Sequence, residues 1–415
     1  MIGQFAQSAF LRAMCAIREG HLELVCDGHR HHFGDSASPL RATVLVHDGR
    51  FFRRPLLQGD IGIGESYMDG DWSSPDLTAV IRLAVRNLTA LESGNSWFST
   101  FSRATDVFRH RRRSNTVEGS RKNIRDHYDL NNDFFRLFLD SRMVYSCAWY
   151  EAAEDTLETA QLQKLDRACR KLQLRPTDHL LEIGTGWGAM AIHAASRYGC
   201  RVTTTTISRE QYEFAREQIA RAGLTGRIEL LLEDYRHLKG RFDKLVSIEM
   251  FEAVGFEYYD TFFGACDRLL ASDGAMLLQA ITINDKKFPT YRKRADWIQK
   301  YIFPGSELAS VTAICSSLAR ATGMSLFHAE DMGTHYARTL RAWSERFHDA
   351  LPGVMALGFD DRFIRMWDFY LAYCEGAFLE RHISDFQFLM TKSYAQRELL
   401  NEPWEGVGTA IAARL

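Results

Sequence analysis

The segment Glu182-Ile183-Gly184-Thr185-Gly186-Trp187-Gly188 says more about the architecture of this chain than any other. It completes the short apolar run 179–183, which we expect to form a buried strand, and a helix is predicted to begin at Ala189. Glycines let the backbone turn tightly between two such elements and let a ligand approach the main chain closely. The sequence therefore predicts a cofactor site where this strand meets this helix.

Three features favour S-adenosylmethionine as the cofactor, although glycine-rich turns also bind dinucleotides or serve packing alone. The glycines follow a GxGxG pattern, whereas a pyrophosphate-binding loop follows GxGxxG. The turn lies well inside the chain, after an added helix. Asp234-Tyr235 closes the third predicted strand, where a carboxylate can hold an adenine amino group. The residues that we expect to bind the cofactor here are Gly184, Gly186, Trp187, Gly188, Asp234 and Tyr235.

The end of the second predicted strand lacks the acidic residue that holds ribose hydroxyls in many nucleotide sites. Instead the chain carries Thr206-Ile207-Ser208-Arg209-Glu210-Gln211. Gln211 is a candidate for the ribose, with Thr206 and Ile207 beside the cofactor. An equally weighted alternative makes Gln211 only the partner of Ser208 in a helix capping box. The missing acid also argues against a nicotinamide oxidoreductase.

Strand and helix signals alternate after residue 121, which predicts a parallel sheet with helices on both faces. The strands are expected at 179–183, 201–206, 227–232, 244–248 and 275–281, with helices at 155–174, from 189, from 208 and at 258–270. This is an α/β, Rossmann-like fold. An N-terminal region, residues 1–94, shows a strand at 42–46 and an amphipathic helix at 76–91. A predicted linker, residues 95–120, joins this N-terminal region to the α/β part of the chain.

Composition narrows the class of protein. With 415 residues, 46% hydrophobic and 25% charged residues and a net charge of -2, the chain reads as globular, and we expect no nucleic-acid partner. Eight scattered cysteines and no apparent signal peptide or apolar span favour a cytoplasmic location and no metal site. The basic run Arg109–Arg113 is interpreted either as solvated linker or as a contact for anionic lipid headgroups.

Several motifs, in one order, make the chain resemble the cyclopropane fatty acid synthases and the related mycolic acid methyltransferases. The resemblance covers nearly everything from Leu57 to Leu400. Its motifs are GESYMDG at 64–70, DHYDLNN at 126–132, YSCA at 145–148, the glycine turn, TISREQ at 206–211, DYR at 234–236, MFE at 250–252, YIFPG at 301–305 and the segment 336–343.

What this resemblance implies is an enzyme that acts on cis-unsaturated acyl chains of membrane phospholipid. It further implies a small N-terminal α+β lipid-binding domain, residues 1–94, a catalytic domain, residues 121–415, a homodimer, and peripheral association with the inner face of the membrane. Tyr145 and Ser146 are expected to contact the cofactor. A bicarbonate ion is expected beside the cofactor as general base. Its implied ligands are Cys147 and Ile281 through their backbones, Glu252, Gln279 and Tyr336.

Departures from the family pattern leave the product open. Gln279 stands where the best-known members carry histidine, and glutamine can donate a hydrogen bond but carries no charge. Ala253 likewise replaces a common histidine, and Glu249 adds a carboxylate nearby. We expect a cyclopropane ring from deprotonation of the transferred methyl group. The alternative is a methylene- or methyl-branched chain made by the same family chemistry.

The chemistry predicts a dry pocket, because attack of an alkene on the sulfonium methyl leaves a carbocation that water would quench. Aromatic faces stabilise cations, and seven aromatic residues lie in or beside the motifs. They are Tyr128, Tyr145, Trp149, Phe251, Tyr301, Phe303 and Tyr336. Two other classes are weighed against this enzyme. One is a non-catalytic lipid-binding protein, and the other is a methyltransferase for small O- or N-nucleophiles.

Overall fold

The computed structural model describes residues 2–93 and 132–396. The predicted linker at 95–120, the basic run at 109–113 and most of the 126–132 motif, including Tyr128, lie outside these residues. Within the described residues two sheets are present, one of four strands and one of seven. No helix in these two segments is both long enough and apolar enough to span a membrane.

The four-stranded sheet belongs to the N-terminal region, and its strand order is β2-β1-β3-β4. β3 reproduces the predicted strand and pairs parallel with β1, whereas the other pairs are antiparallel. The strands are β1 (His21–Cys26), β2 (His29–Gly34), β3 (Arg41–Val46) and β4 (Trp72–Ser73). The helices are α1 (Ile2–Met14), α2 (Arg50–Met68), α3 (Leu77–Arg86) and α4 (Leu88–Ser93).

The seven-stranded sheet has the order β10-β11-β9-β8-β5-β6-β7. Five of its strands are parallel and match the five predicted strands within a few residues. They are β5 (His179–Ile183), β6 (Arg201–Thr206), β7 (Ile228–Leu232), β8 (Phe242–Ile248) and β9 (Leu270–Ile283). The expectation of a parallel sheet needs one correction, because β10 (Ser325–Asp331) and β11 (Ile383–Thr391) are antiparallel to their neighbours.

Helices cover both faces of the large sheet, as the alternating pattern predicted. Leu180 and Leu181 are neighbours on β5 and enter different cores, since successive strand side chains point to opposite faces. One face is covered by α6 (Leu157–Leu172), α7 (Ala189–His193) and a π-helical turn (Ala194–Tyr198). The other is covered by α9 (Tyr259–Leu269) and α12 (Val311–Ala321). The remaining helices before residue 302 are α5 (Asn132–Arg136), α8 (Arg209–Arg221), α10 (Phe288–Tyr291) and α11 (Trp297–Tyr301).

Three helices between β10 and β11 join the N-terminal region to the large sheet. They are α13 (Gly333–Asp349), α14 (Leu351–Ala356) and α15 (Asp361–Leu379). α15 packs on α3 so closely that a Cβ at Gly376 would lie 2.7 Å from a side-chain carbon of Ile81. Thr78 donates a buried 2.9 Å hydrogen bond to Glu375 across the same contact. The N-terminal region therefore packs directly against the part of the chain that carries Tyr336.

Two helix predictions need correction. The helix expected at 76–91 is two helices, because Asn87 leaves the helical path and its side chain bonds the backbone of Arg18 and Glu19. The helix expected from residue 155 begins at Leu157, where Thr156 is the N-cap and accepts from the backbone of Thr159. Asp155 instead accepts from the backbone of Glu151 and Ala152.

Candidate active site

The glycine turn between β5 and α7 has the geometry that its sequence predicts. Gly184 has a φ of 102°, and a Cβ there would lie 3.0 Å from the side chain of Met250. Gly186 also has a positive φ, 53°, and nothing lies within 4 Å of its missing Cβ. A side chain at the first position would therefore clash, whereas the backbone at the second stands open to a ligand.

A cavity of about 1200 Å³ opens beside this turn. Every residue that we predicted to bind the cofactor lines the cavity except Gly188. Gly188 instead packs against α8, where a Cβ would lie 3.3 Å from that of Ala215. The lining members of the predicted set are Tyr145, Ser146, Gly184, Gly186, Trp187, Thr206, Ile207, Gln211, Asp234 and Tyr235. The structure thus brings residues from the ends of β5, β6 and β7, together with Tyr145 and Ser146, to one place.

Two of the predicted polar contacts already have partners in the protein. The Asp234 carboxylate is held by the Arg236 guanidinium at 2.7 and 2.8 Å. Burial raises the pKa of Asp234, but the bonds from Arg236 outweigh it and the pKa is lowered, so the group is ionised. Gln211 accepts a 2.9 Å hydrogen bond from the Thr206 hydroxyl, and its side chain does not return to the helix cap. Both still line the cavity, so their adenine and ribose roles stay predictions.

A buried lysine and glutamate, which the sequence did not single out, lie under the cofactor residues. Lys164 donates a 2.6 Å bond to the Ser146 hydroxyl. Glu182, on β5, accepts a 2.6 Å bond from Thr204. Burial raises the pKa of Glu182 to about 8 and lowers the pKa of Lys164, while Glu249 and other carboxyls raise the latter. Lysine and glutamate are mostly exposed in folded proteins, so the sequence indicates surface positions, and only the fold shows that these two adjoin a site.

The residues expected to hold bicarbonate converge on the carboxylate of Glu249. The backbone N–H of Cys147 donates to its Oε1 at 2.7 Å, and the amide of Gln279 donates to the same oxygen at 2.8 Å. The hydroxyl of Tyr336 donates to Oε2 at 2.7 Å. Because three of the five predicted contacts are made to a side chain of the protein, the residues present do not fit a bicarbonate ion at this position.

The other two residues predicted to bind bicarbonate, Glu252 and Ile281, are hydrogen bonded to each other. Glu252 Oε1 accepts a 2.6 Å bond from the backbone N–H of Ile281, and its Oε2 is buried without a partner among the described residues. Burial and the neighbouring Glu249 raise the pKa of Glu252 to about 8. Asp385, on β11, accepts from Gln279 at 2.9 Å. Burial, followed by the charges of Glu249 and Glu252, raises its pKa well above the usual range.

Beyond the carboxyl groups the cavity becomes apolar and reaches the N-terminal region. Of the aromatic residues singled out, Tyr145, Phe303 and Tyr336 line it, while Phe251 packs in a core behind β8. Trp149 stacks on His335 and under Arg167, away from the cavity. The walls at the far end come from α1, α3, α4 and α15, and include Phe10, Met14, Val80, Ala84, Val85, Leu88 and Phe369.

Comparison with known proteins agrees with this geometry. A family model described as mycolic acid cyclopropane synthetase matches residues 115–388. The chain is 38% identical over 366 residues to tuberculostearic acid methyltransferase of Mycobacterium tuberculosis, covering 86% of this chain and 85% of the relative. It is 39% identical over 355 residues to cyclopropane-fatty-acyl-phospholipid synthase of Escherichia coli K12, covering 85% and 88%.

Solved structures give the same result. A crystal structure of a mycolic acid cyclopropane synthase complexed with SAH and CTAB superposes with a TM-score of 0.62 at 34% identity. That match covers 66% of this chain and 98% of the solved chain. The chain therefore belongs to the mycolic acid cyclopropane synthetase family and is an S-adenosylmethionine-dependent methyltransferase.

Proposed function

We propose that the protein transfers a methylene group from S-adenosylmethionine to the cis double bond of unsaturated phospholipid acyl chains and forms a cyclopropane ring. The observation that carries this proposal is the single cavity that joins the glycine turn to apolar walls of the N-terminal region. A small polar acceptor would need no such apolar extension, and a lipid-binding protein would need no cofactor turn. The cavity volume, about 1200 Å³, lies somewhat above the usual range for small-molecule sites.

The residues of the chain divide the work along this cavity. S-adenosylmethionine, when bound, supplies an electrophilic methyl group. The turn at Gly184 and Gly186 positions the donor, which converts a poor encounter with an alkene into a nearly unimolecular step. The apolar walls exclude water from the cationic acyl chain. The rings of Tyr145 and Tyr336, next to the carboxyl cluster, present faces that stabilise positive charge.

A second product is supported by one relative and one residue. The tuberculostearic acid methyltransferase named above matches this chain about as well as the cyclopropane-forming relative does. Gln279 here is neutral and hydrogen bonded to Glu249, Asp385 and Gln387. A methylene- or methyl-branched acyl chain therefore stands as the alternative, and both products share the same methyl transfer.

Association with a membrane surface is proposed from the far end of the cavity. Gln58 and Gly59 of α2 line the cavity, and the adjacent Leu57 is 63% exposed. Phe5 of α1 is 74% exposed. Replacing either side chain by glutamate is expected to weaken flotation with anionic phospholipid vesicles, while donor binding stays unchanged. Undiminished flotation of both variants would remove these contacts from the proposal. The homodimer stays a prediction, which light scattering tests.

The direct experiment is to express the protein in a bacterial host that lacks its own enzyme of this kind. Mass spectrometry of the phospholipids is expected to show unsaturated acyl chains that have gained one methylene unit. NMR of the purified lipid distinguishes a ring from a branch. Unchanged acyl chains, with folded protein present and S-adenosylmethionine bound in vitro, would contradict the proposal.

A further inference from the structure

Hydrogen-bond donors from three separate segments of the chain converge on the carboxylate of Glu249. Three donors reach it at 2.7 to 2.8 Å, from the backbone of Cys147, the amide of Gln279 and the hydroxyl of Tyr336. Glu249 lines the same cavity as Gly184 and Gly186. These three donors hold one carboxylate in a fixed position beside the cavity, where hydrogen bonds to an ionised group are strong.

The backbone at Glu249 is held in a conformation that favours glycine. Its φ is 47°, in the left-handed region, at the end of β8. A residue with a side chain is strained in this conformation, so contacts with the surrounding protein must hold it there. The backbone N–H of Glu249 donates to the carbonyl of Gln279 at 2.8 Å, which anchors the residue on β9. Although glycine would adopt this backbone conformation without strain, the chain has a glutamate here, and its carboxylate lines the cavity.

Among the three buried acids, Glu249 has the surroundings that best stabilise an ionised carboxylate. Glu252 and Asp385 each have one carboxyl oxygen without a partner among the described residues, whereas both oxygens of Glu249 accept hydrogen bonds. Burial raises the pKa of all three groups, and the hydrogen bonds from Tyr336 and Cys147 oppose this rise at Glu249 without cancelling it. Lys164 is the buried cation that interacts with this cluster. A neutral carboxyl is less costly to bury than a carboxylate, so the protons belong on Glu252 and Asp385.

We propose that the Glu249 carboxylate is the base that removes a proton from the transferred methyl group, in place of a bicarbonate ion. This inference rests on the function proposed above. The alkene electron pair forms a new C–C bond to the methyl carbon, and the C–S electrons remain with sulfur, giving S-adenosylhomocysteine. Glu249 then takes one methyl proton, and the C–H electrons close the second C–C bond onto the cationic carbon. The proton leaves Glu249 for solvent when the product departs.

The test combines bicarbonate depletion with three variants. Wild-type protein, assayed with labelled donor and unsaturated phospholipid vesicles, is expected to keep its turnover in buffers stripped of carbon dioxide and bicarbonate. Glu249→Gln preserves the shape but is a far weaker base, and its turnover is expected to fall about 100-fold with donor binding intact. Glu257→Gln, on an exposed site, is the matched control and should behave as wild type.

Glu249→Gly provides the decisive arm, because glycine suits the positive φ and frees the three donors. Added bicarbonate is expected to restore activity to this variant and to have no effect on wild type. Wild-type activity that disappears on bicarbonate depletion, or an active Glu249→Gln enzyme, would overturn the assignment. A wild-type enzyme that alkylates no lipid even with bicarbonate present would instead contradict the proposed function itself. Thermal melts of each variant separate loss of the base from loss of the fold.

Discussion

Cys147 shows how a reactive residue type can serve through its backbone alone. Its thiol is fully buried, and burial, with the charges of Asp385 and Glu249, raises the pKa of Cys147 well above its usual value. The N–H, not the thiol, reaches Glu249. We therefore predict that Cys147→Ser keeps most of the wild-type kcat, while Tyr336→Phe, which removes a donor to the same carboxylate, lowers it by about 100-fold.

Steady-state kinetics with unsaturated vesicles check this pair of variants, and equal donor affinity in both is the control. An inactive Cys147→Ser enzyme with a normal melting curve would show that the thiol itself participates. A fully active Tyr336→Phe enzyme would show that the hydrogen bond to Glu249 is dispensable.

Glu182 makes stability depend on pH in a direction that its environment fixes. Burial raises its pKa to about 8, from 4.5 in an unfolded chain. Between these values the native state holds a proton that the unfolded state has released, so stability falls as the pH rises, by about 1.4 kcal/mol per pH unit for one proton. Glu182→Gln removes this loss and keeps an acceptor for Thr204.

The Tm of Glu182→Gln is therefore predicted to exceed that of wild type by more at pH 8 than at pH 6. Differential scanning calorimetry across this range measures the difference. Glu257→Gln, at an exposed carboxylate, serves as the control and should leave the pH dependence unchanged. Parallel Tm curves for wild type and Glu182→Gln would contradict the assignment of a retained proton.

At the scale of the elements, the β5–α7 turn requires glycine at Gly184, because a side chain there would crowd Met250. Gly184→Ala places a Cβ 3.0 Å from Met250 at a φ of 102°. We predict that this substitution weakens S-adenosylmethionine binding at least 10-fold, as measured by titration calorimetry. Gly223→Ala is the matched control, because its φ of 69° is also strained but nothing lies within 4 Å of the added carbon. Comparable weakening in both variants would mean that strain, and not the turn itself, lowers the affinity.

The strands that the sequence predicted are short runs rich in apolar or β-branched residues. β5, β6 and β8 were predicted because each such run ends at turn residues. β11 was missed because Asp385 and Gln387 interrupt its pattern, although both are fully buried and hydrogen bonded to Gln279. Asp385 of this strand belongs to the carboxyl cluster, so the members of the cluster could not be predicted from the sequence. Glu249 was noticed as a nearby acid, but only the left-handed backbone and the partners from β9 and α13 show where it points.

At the scale of the whole molecule, the cavity beside the glycine turn has walls from both described regions of the chain. Ala84 of α3 lines the end that is far from the glycine turn. Ala84→Trp should fill this end, and we predict a large loss of lipid turnover with unchanged affinity for S-adenosylmethionine. Ala84→Ser, which adds little volume, is the control. If Ala84→Trp keeps the wild-type kcat/KM for unsaturated vesicles, the acyl chain does not occupy that end of the cavity.

The hydrogens of the transferred group give the most direct test of the proposed methylene transfer. Purified protein is incubated with a donor whose methyl group is fully deuterated and with unsaturated or saturated phospholipid vesicles. We predict that only the unsaturated acyl chains gain a carbon, and that this carbon keeps two of its three deuterium atoms, because a base removes one. Label in saturated chains, label only in soluble acceptors, or retention of all three deuterium atoms in the lipid would contradict it.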